Sequence, residues 1–253
     1  MLDVTDITVA FGGVTALDHI SFTVDEGAFC AIIGPNGAGK TTLFNVFTGV
    51  VRPSAGAVRY ATADLTRTPR HRLAGLGVSR TFQNLALCRG LTVIENVMIG
   101  AHHAAQSGLI RVLARDRGFR RSERDIRAAS LSLLRQFGLA RVADHPVSSL
   151  PYGSLKRVEL ARALAADPSL LLLDEPAAGL NHDEVAGLRD VLREIHADRG
   201  LSIILVEHHM GFVMSLADQV IVLNLGGVLA RGTPAEVVSD QSVIEAYLGT
   251  DAA

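Results

Sequence analysis

The chain has 253 residues and only two cysteines, Cys30 and Cys88, far apart and in no disulfide or metal-ligand spacing. That usage fits a reducing compartment and argues against a stapled or cysteine–metal fold. An excess of charge of one sign is missing too: 24 Lys and Arg stand against 26 Asp and Glu, a net −2. A nucleic-acid partner held by bulk charge is therefore not expected. No apolar run reaches the roughly 18 residues that a membrane span needs. The best candidate, residues 216–230, is broken by Asp218, Gln219, Asn224 and the pair Gly226-Gly227. The start Met1-Leu2-Asp3 has no basic segment followed by an apolar one, so no signal peptide is expected. No internal repeat, low-complexity tract or heptad run is visible. What remains is a chain with 48% apolar and 20% charged residues, enough for a sizeable core. Its length suits one α/β domain with a subdomain.

The stretch Gly34-Pro35-Asn36-Gly37-Ala38-Gly39-Lys40-Thr41 fits the pattern G-x-x-x-x-G-K-[ST] at every fixed position. Ahead of it lies Phe29-Cys30-Ala31-Ile32-Ile33, a short apolar run read as a buried strand. Behind it, Thr42 and the residues to Phe47 have apolar positions at helical spacing, closed by Gly49. Strand, glycine loop and helix form a phosphate cradle. The glycines let backbone N–H groups turn inward, and the helix N-terminus adds partial positive charge. Lys40 would reach the β- and γ-phosphates of a nucleotide, and the Thr41 hydroxyl would ligate Mg²⁺.

Alternation of apolar and polar residues predicts strands over 4–10 and 20–24. Between them lies Phe11, which spacing leaves open as a core side chain or an exposed ring able to stack on adenine. Residues 57–60 and 78–82 read as strands, and 69–74 as a short helix. Gln83 then stands at a strand end, either as a ligand or water-positioning group near Mg²⁺ or as a solvated loop amide. A helical region runs from about 92 to 148 and carries Arg111, Arg115, Arg117, Arg120, Arg121, Arg124 and Arg127, read as a solvated face. Next, Gly153-Ser154 opens a helix whose Leu155, Val158, Ala161 and Leu164 share one face, an amphipathic pattern. Its N-terminal amides are either a second phosphate site or an ordinary cap.

Leu170-Leu171-Leu172-Leu173 is a buried parallel-type strand ending in Asp174-Glu175. Acids at the carboxyl end of such a strand lie beside the phosphate loop in open α/β folds. Asp174 would hold Mg²⁺ through water, and Glu175 would polarise a water for attack on the γ-phosphate. Helix is predicted over 184–197. A further apolar strand, 202–206, ends at Glu207-His208-His209, where His208 can donate to a γ-phosphate. A hairpin over 219–231 and two short helices, 234–239 and 243–248, complete the chain.

The order of these landmarks resembles the ATP-binding subunit of ABC transporters over nearly the whole chain. Within that superfamily, Arg80-Thr81-Phe82-Gln83-Asn84-Leu85, Thr92-Val93-Ile94-Glu95-Asn96-Val97, Leu150-Pro151-Tyr152-Gly153 and Glu175-Pro176-Ala177-Ala178-Gly179-Leu180-Asn181 are similar to the larger ATPase subunit of branched-chain amino acid importers. The resemblance implies an α/β P-loop NTPase core with a parallel sheet, an N-terminal antiparallel β subdomain and an α-helical subdomain. It implies one domain over 2–249, with a core of 2–84 and 166–249 and a helical part of about 85–165. It assigns Phe11 to adenine stacking, Gln83 to a loop that senses Mg²⁺ and the membrane partner, and Asp174 to the Mg²⁺ site. Glu175 becomes the general base and His208 the switch histidine. Leu150, Tyr152, Gly153 and Ser154 match the signature that closes on the nucleotide of the opposite subunit. Pro151 stands where that signature usually has Ser, and Ser154-Leu155 replace a commonly Gln-rich pair. The implied partners are a second ATPase subunit, two permease subunits and, indirectly, a substrate-binding protein. The implied place is the cytoplasmic face of a bacterial or archaeal membrane. Rival readings are an importer of urea or short amides, a soluble ABC ATPase, a non-hydrolysing subunit and a P-loop kinase.

Overall fold

The computed structural model describes residues 1–81, 85–101 and 117–248. Two sheets position the site. Strands β1 (Leu2–Phe11) and β2 (Val14–Val24) form a hairpin about Gly12-Gly13, and β4 (Ala55–Tyr60) and β5 (Ala63–Asp64) extend it to an antiparallel order β2-β1-β4-β5. Both hairpin strands are longer than apolar alternation predicts. In β1 the buried set is Leu2, Val4, Ile7 and Val9; in β2 it is Leu17, Ile20, Phe22 and Val24. The period-2 pattern skips a residue in each, at Asp6 and His19, which both take φ near +50° where the register shifts. Such bulges flip the following side chains back onto the core face.

The second sheet has the order β10-β9-β3-β8-β7-β6, built from β3 (Phe29–Ile33), β6 (Val78–Arg80), β7 (Leu170–Asp174), β8 (Ser202–Val206), β9 (Gln219–Asn224) and β10 (Gly227–Gly232). It is parallel except for the β9–β10 hairpin. Strands β3, β7 and β8 are buried at every residue. Their alternate side chains feed two cores. Phe29, Ala31 and Ile33 point into one with Leu171, Leu173, Ile203 and Leu205; Cys30 and Ile32 point into the other with Leu170, Leu172 and Ile204. A strand covered on both faces must be apolar throughout, which is why these read as unbroken runs.

The helices are α1 (Lys40–Phe47), α2 (Arg70–Leu73), α3 (Val93–Ala101), α4 (Arg117–Gln136), α5 (Tyr152–Leu164), α6 (His182–Arg199), α7 (Met210–Leu216), α8 (Pro234–Ser239) and α9 (Gln241–Leu248). Helix α6 starts two residues earlier than its apolar pattern suggests, because Asn181 caps it in a capping box with Glu184. Gln83, Arg111 and Arg115 lie outside the described residues. On α4, Arg124 and Arg127 are exposed, and Arg127 pairs with Asp144 at 2.8 Å, as a solvated face requires.

The amphipathic reading of α5 needs correction. Val158, Ala161 and Leu164 are buried as expected, but so are Lys156 and Glu159 on other sides of the helix. The helix packs against α3, α4 and β6, which leaves little of it to solvent. Lys156 is held by a bond to the Glu175 carbonyl at 3.3 Å and by the Tyr152 ring, 5.8 Å from its ammonium.

Candidate active site

The loop after β3 turns into α1 through Gly34, Gly37 and Gly39, with φ of +149°, +81° and +100°. Close approach also requires glycine. A Cβ at Gly34 would stand 2.1 Å from the Leu223 carbonyl oxygen, and one at Gly39 would stand 2.7 Å from that of Ala16. The loop is therefore wedged between β9 and β2, with its amides turned toward the helix start. No side chain caps α1 at Gly39, and its first turn lines the cleft described next. Buried Lys40 folds over the loop, where its Nζ donates to the Gly34 and Pro35 carbonyls at 2.7 and 2.8 Å. Burial pushes the Lys40 ammonium below its ordinary value, and the Glu175 carboxylate pushes back.

A cleft of about 230 Å³ opens over this loop. Asn36, Gly37, Ala38, Gly39, Lys40, Thr41 and Thr42 line it together with Ala16, Glu175 and His208. The last two come from different strands: Glu175 follows β7 and His208 follows β8. His208 Nε2 and Glu175 Oε1 are 2.7 Å apart. Glu175 holds a left-handed φ of +49°, uncommon for a residue with a side chain. Its neighbours fix it there. Its N–H donates to the Val206 carbonyl at 2.9 Å, its carbonyl accepts from Lys156, and its carboxylate meets His208.

Asp174 closes β7, buried to 2% exposure. Its Oδ2 accepts from Arg80 Nη2 at 2.8 Å. Arg80 Nη1 also donates to Asn45 Oδ1 at 3.0 Å and Thr48 Oγ1 at 2.8 Å, and its guanidinium lies 5.7 Å from the Phe44 ring centre. Arg80 thus joins β6, Asp174 and the phosphate-loop helix. Glu207, also buried, binds three backbone amides: Ala177 at 2.8 Å, His208 at 2.9 Å and His209 at 3.2 Å.

The other anticipated residues sit apart from the cleft. Phe11, at the end of β1, is 52% exposed, which removes the core reading of this ring. Leu150, Tyr152, Gly153 and Ser154 gather at the start of α5, where Pro151 takes the cap position without a side-chain bond. Gly153 faces the Glu184 carboxylate so closely that a Cβ would lie 2.2 Å from it, and Gly179 faces the Tyr152 ring. A larger groove of about 730 Å³ lies on the β6 side, lined by Leu73, Val78, Arg80, Ala86, Ile99 and Arg162 among others.

The donor set also suits a small hard cation beside the phosphates. Among the described residues no three His, Cys, Asp or Glu side chains converge to hold an ion by themselves. Thr41 and Asp174 are oxygen donors of the kind Mg²⁺ takes, but only Thr41 lines the cleft; Asp174 lines a small cavity with Thr81, Lys156 and Pro176 and is paired with Arg80.

Comparison with known proteins agrees with this geometry. The ABC transporter family model matches residues 17–178. The chain belongs to the ABC transporter family of ATP-binding cassettes. A second model, described as branched-chain amino acid ATP-binding cassette transporter, matches residues 228–253 of this cassette. The cassette is 37% identical over 249 residues to the high-affinity branched-chain amino acid transport ATP-binding protein BraF of Pseudomonas aeruginosa, covering 98% of both chains. It is 39% identical to LivG of Salmonella typhimurium, with the same coverage. Among solved structures, a nucleotide-free ATP-binding cassette from an ABC transporter superposes with a TM-score of 0.83 at 30% identity, and the ADP conformation of MJ1267 with 0.84 at 29%, each over 98% of both chains. The cassette is therefore a nucleotide-binding ATPase with the α/β P-loop fold.

Arg80, Lys156 and Glu207 were not singled out from sequence. Glu207 follows the apolar run 203–206, where a charge demands a buried partner, but Arg80 between Ser79 and Thr81 and Lys156 beside Arg157 adjoin no apolar run, and for all three the partner comes only with the fold.

Proposed function

We propose that this cassette powers a membrane importer for branched-chain amino acids, as one of two ATPase subunits facing each other head to tail. The observation that carries the catalytic half is the 2.7 Å pairing of Glu175 and His208 inside the phosphate-loop cleft. Glu175 takes the proton of the attacking water. His208 turns its Nε2 from Glu175 to the γ-phosphate. Lys40 exchanges two loop carbonyls for β- and γ-phosphate oxygens, a move its present bonds prepare. Thr41, Asp174 and Gln83 would hold Mg²⁺, which would supply neutralisation of charge on the phosphates.

The cleft's 230 Å³ falls below the roughly 300–1,000 Å³ of complete small-molecule sites. This supports a half-site completed in trans by Leu150, Tyr152, Gly153 and Ser154 of the opposite subunit, with Phe11 stacking on adenine. Pro151 supplies neither hydroxyl nor N–H, so the two sites of a heterodimer would be unequal, and a sister subunit is the natural mate. The 730 Å³ groove beside Arg80 is where a permease subunit docks, with the cassette peripheral on the cytoplasmic face. No helix among the described residues is long and apolar enough to cross a membrane. The division into a core of 2–84 and 166–249 and a helical part of about 85–165 belongs to the same reading. Uptake of labelled leucine, isoleucine and valine, compared between cells with and without the gene, tests the substrate. Loss of all three supports it; undiminished uptake in a strain with no second importer rejects it.

A further inference from the structure

The carboxylate of Glu207 joins the two loops that carry the base and the histidine, although it faces neither the cleft nor solvent. It is 4% exposed. One oxygen, Oε1, accepts from the Ala177 N–H at 2.8 Å, on the loop after β7. The other, Oε2, accepts from the His208 and His209 N–H groups, on the loop after β8. No other side chain is recorded as bonding these three amides among the described residues. A buried anion accepting several N–H bonds makes strong, charge-assisted contacts, and removing it strands the buried Ala177 donor and takes the acceptor from the two part-buried amides of His208 and His209.

We infer that Glu207 is a positioning residue, a clamp that makes the Glu175 loop and the His208 loop move as one body. The clamp holds the His208 N–H itself and the Ala177 N–H two residues after Glu175. Glu175 also hangs from the Val206 carbonyl, one residue before Glu207. Downstream of Ala177, the same loop runs through Gly179 against Tyr152 and on to the Asn181–Glu184 cap of α6. A shift of His208 on meeting phosphate is thereby passed through Glu207 to the segment 177–181, and from there to the start of α5. The inference rests on the proposed roles of Glu175 and His208.

Glu207→Gln keeps the shape but offers one acceptor and one N–H₂ donor, so at least one loop faces a donor against its own N–H. The test measures ATP turnover of this variant beside wild type and Glu175→Gln, with amide exchange of each by NMR. The clamp predicts a fall in kcat of about tenfold to hundredfold, with KM for ATP within about threefold. It also predicts faster exchange confined to 175–181 and 206–210. A kcat within about twofold of wild type overturns it, as does faster exchange spread evenly over β3, β7 and β8. If Glu175→Gln itself keeps turnover, the base assignment fails instead, which the Glu207 arm does not decide. Wild type alone supplies a second check should the variant not fold: Ala177, His208 and His209 amides must exchange as one slow set. An Ala177 amide exchanging like an unbonded loop amide contradicts the clamp.

Discussion

Replacing Arg80 by Met keeps most of the apolar stem and deletes the charge. The pair it breaks is the most buried salt bridge described here, with Arg80 and Asp174 side chains 11% and 3% exposed and 2.8 Å between them. Removing one partner leaves Asp174 as an unpaired buried carboxylate and takes a donor from Asn45 and Thr48. Breaking such a pair costs about 3–5 kcal/mol. For a chain of this length, with about 2–4 °C per kcal/mol, the melting temperature should fall by about 6–20 °C without nucleotide. Denaturant unfolding should show a lower midpoint at unchanged slope. Adding Asp174→Asn to Arg80→Met should cost less than the two single losses summed, because the groups act as one unit. On the proposed Mg²⁺ role of Asp174, ATP with Mg²⁺ would offer it another counter-charge, so the gap to wild type should narrow in that buffer and persist with ATP and a chelator. A loss below about 1 kcal/mol, or strict additivity of the two changes, would refute the idea that Arg80 is the counter-charge of Asp174.

Other outcomes follow from the same geometry. A thiol reagent at pH 8 should find one fast group per folded chain, exposed Cys88, and a second only on unfolding, since burial pushes the Cys30 thiol up to about 12. Two fast thiols in the native protein would contradict the buried placement of β3. Gly153→Ala must displace the Glu184 carboxylate that caps α6, so calorimetry should show about 1 kcal/mol lost, with turnover reduced as well. Unchanged stability would mean that Glu184 is not held against Gly153.

Legibility of the fold followed burial. Strand β8 and helix α8 have the bounds read from sequence, and β3 and β7 fall on unbroken apolar runs, because both faces of the central sheet are covered. The phosphate loop was legible since its glycines answer a local backbone demand. Strand β2 was half missed because His19 breaks the alternation with a bulge. Helix α5 was misjudged because its charged residues are buried by tertiary neighbours, which no single-helix pattern records. The placement of Glu175 and His208 beside the phosphate loop is legible from their positions at strand ends. Arg80 and Glu207 act through partners 94 and 30 residues away, and a separation of that kind leaves no local mark.

The most direct test of the account is steady-state ATP hydrolysis by Glu175→Gln beside wild type, with the size of each species followed in ATP and Mg²⁺. Loss of turnover is expected with nucleotide still bound, together with an ATP-locked dimer either alone or with its sister subunit. Turnover close to wild type in the variant would remove Glu175 from the role of base and contradict the site built here around its pairing with His208.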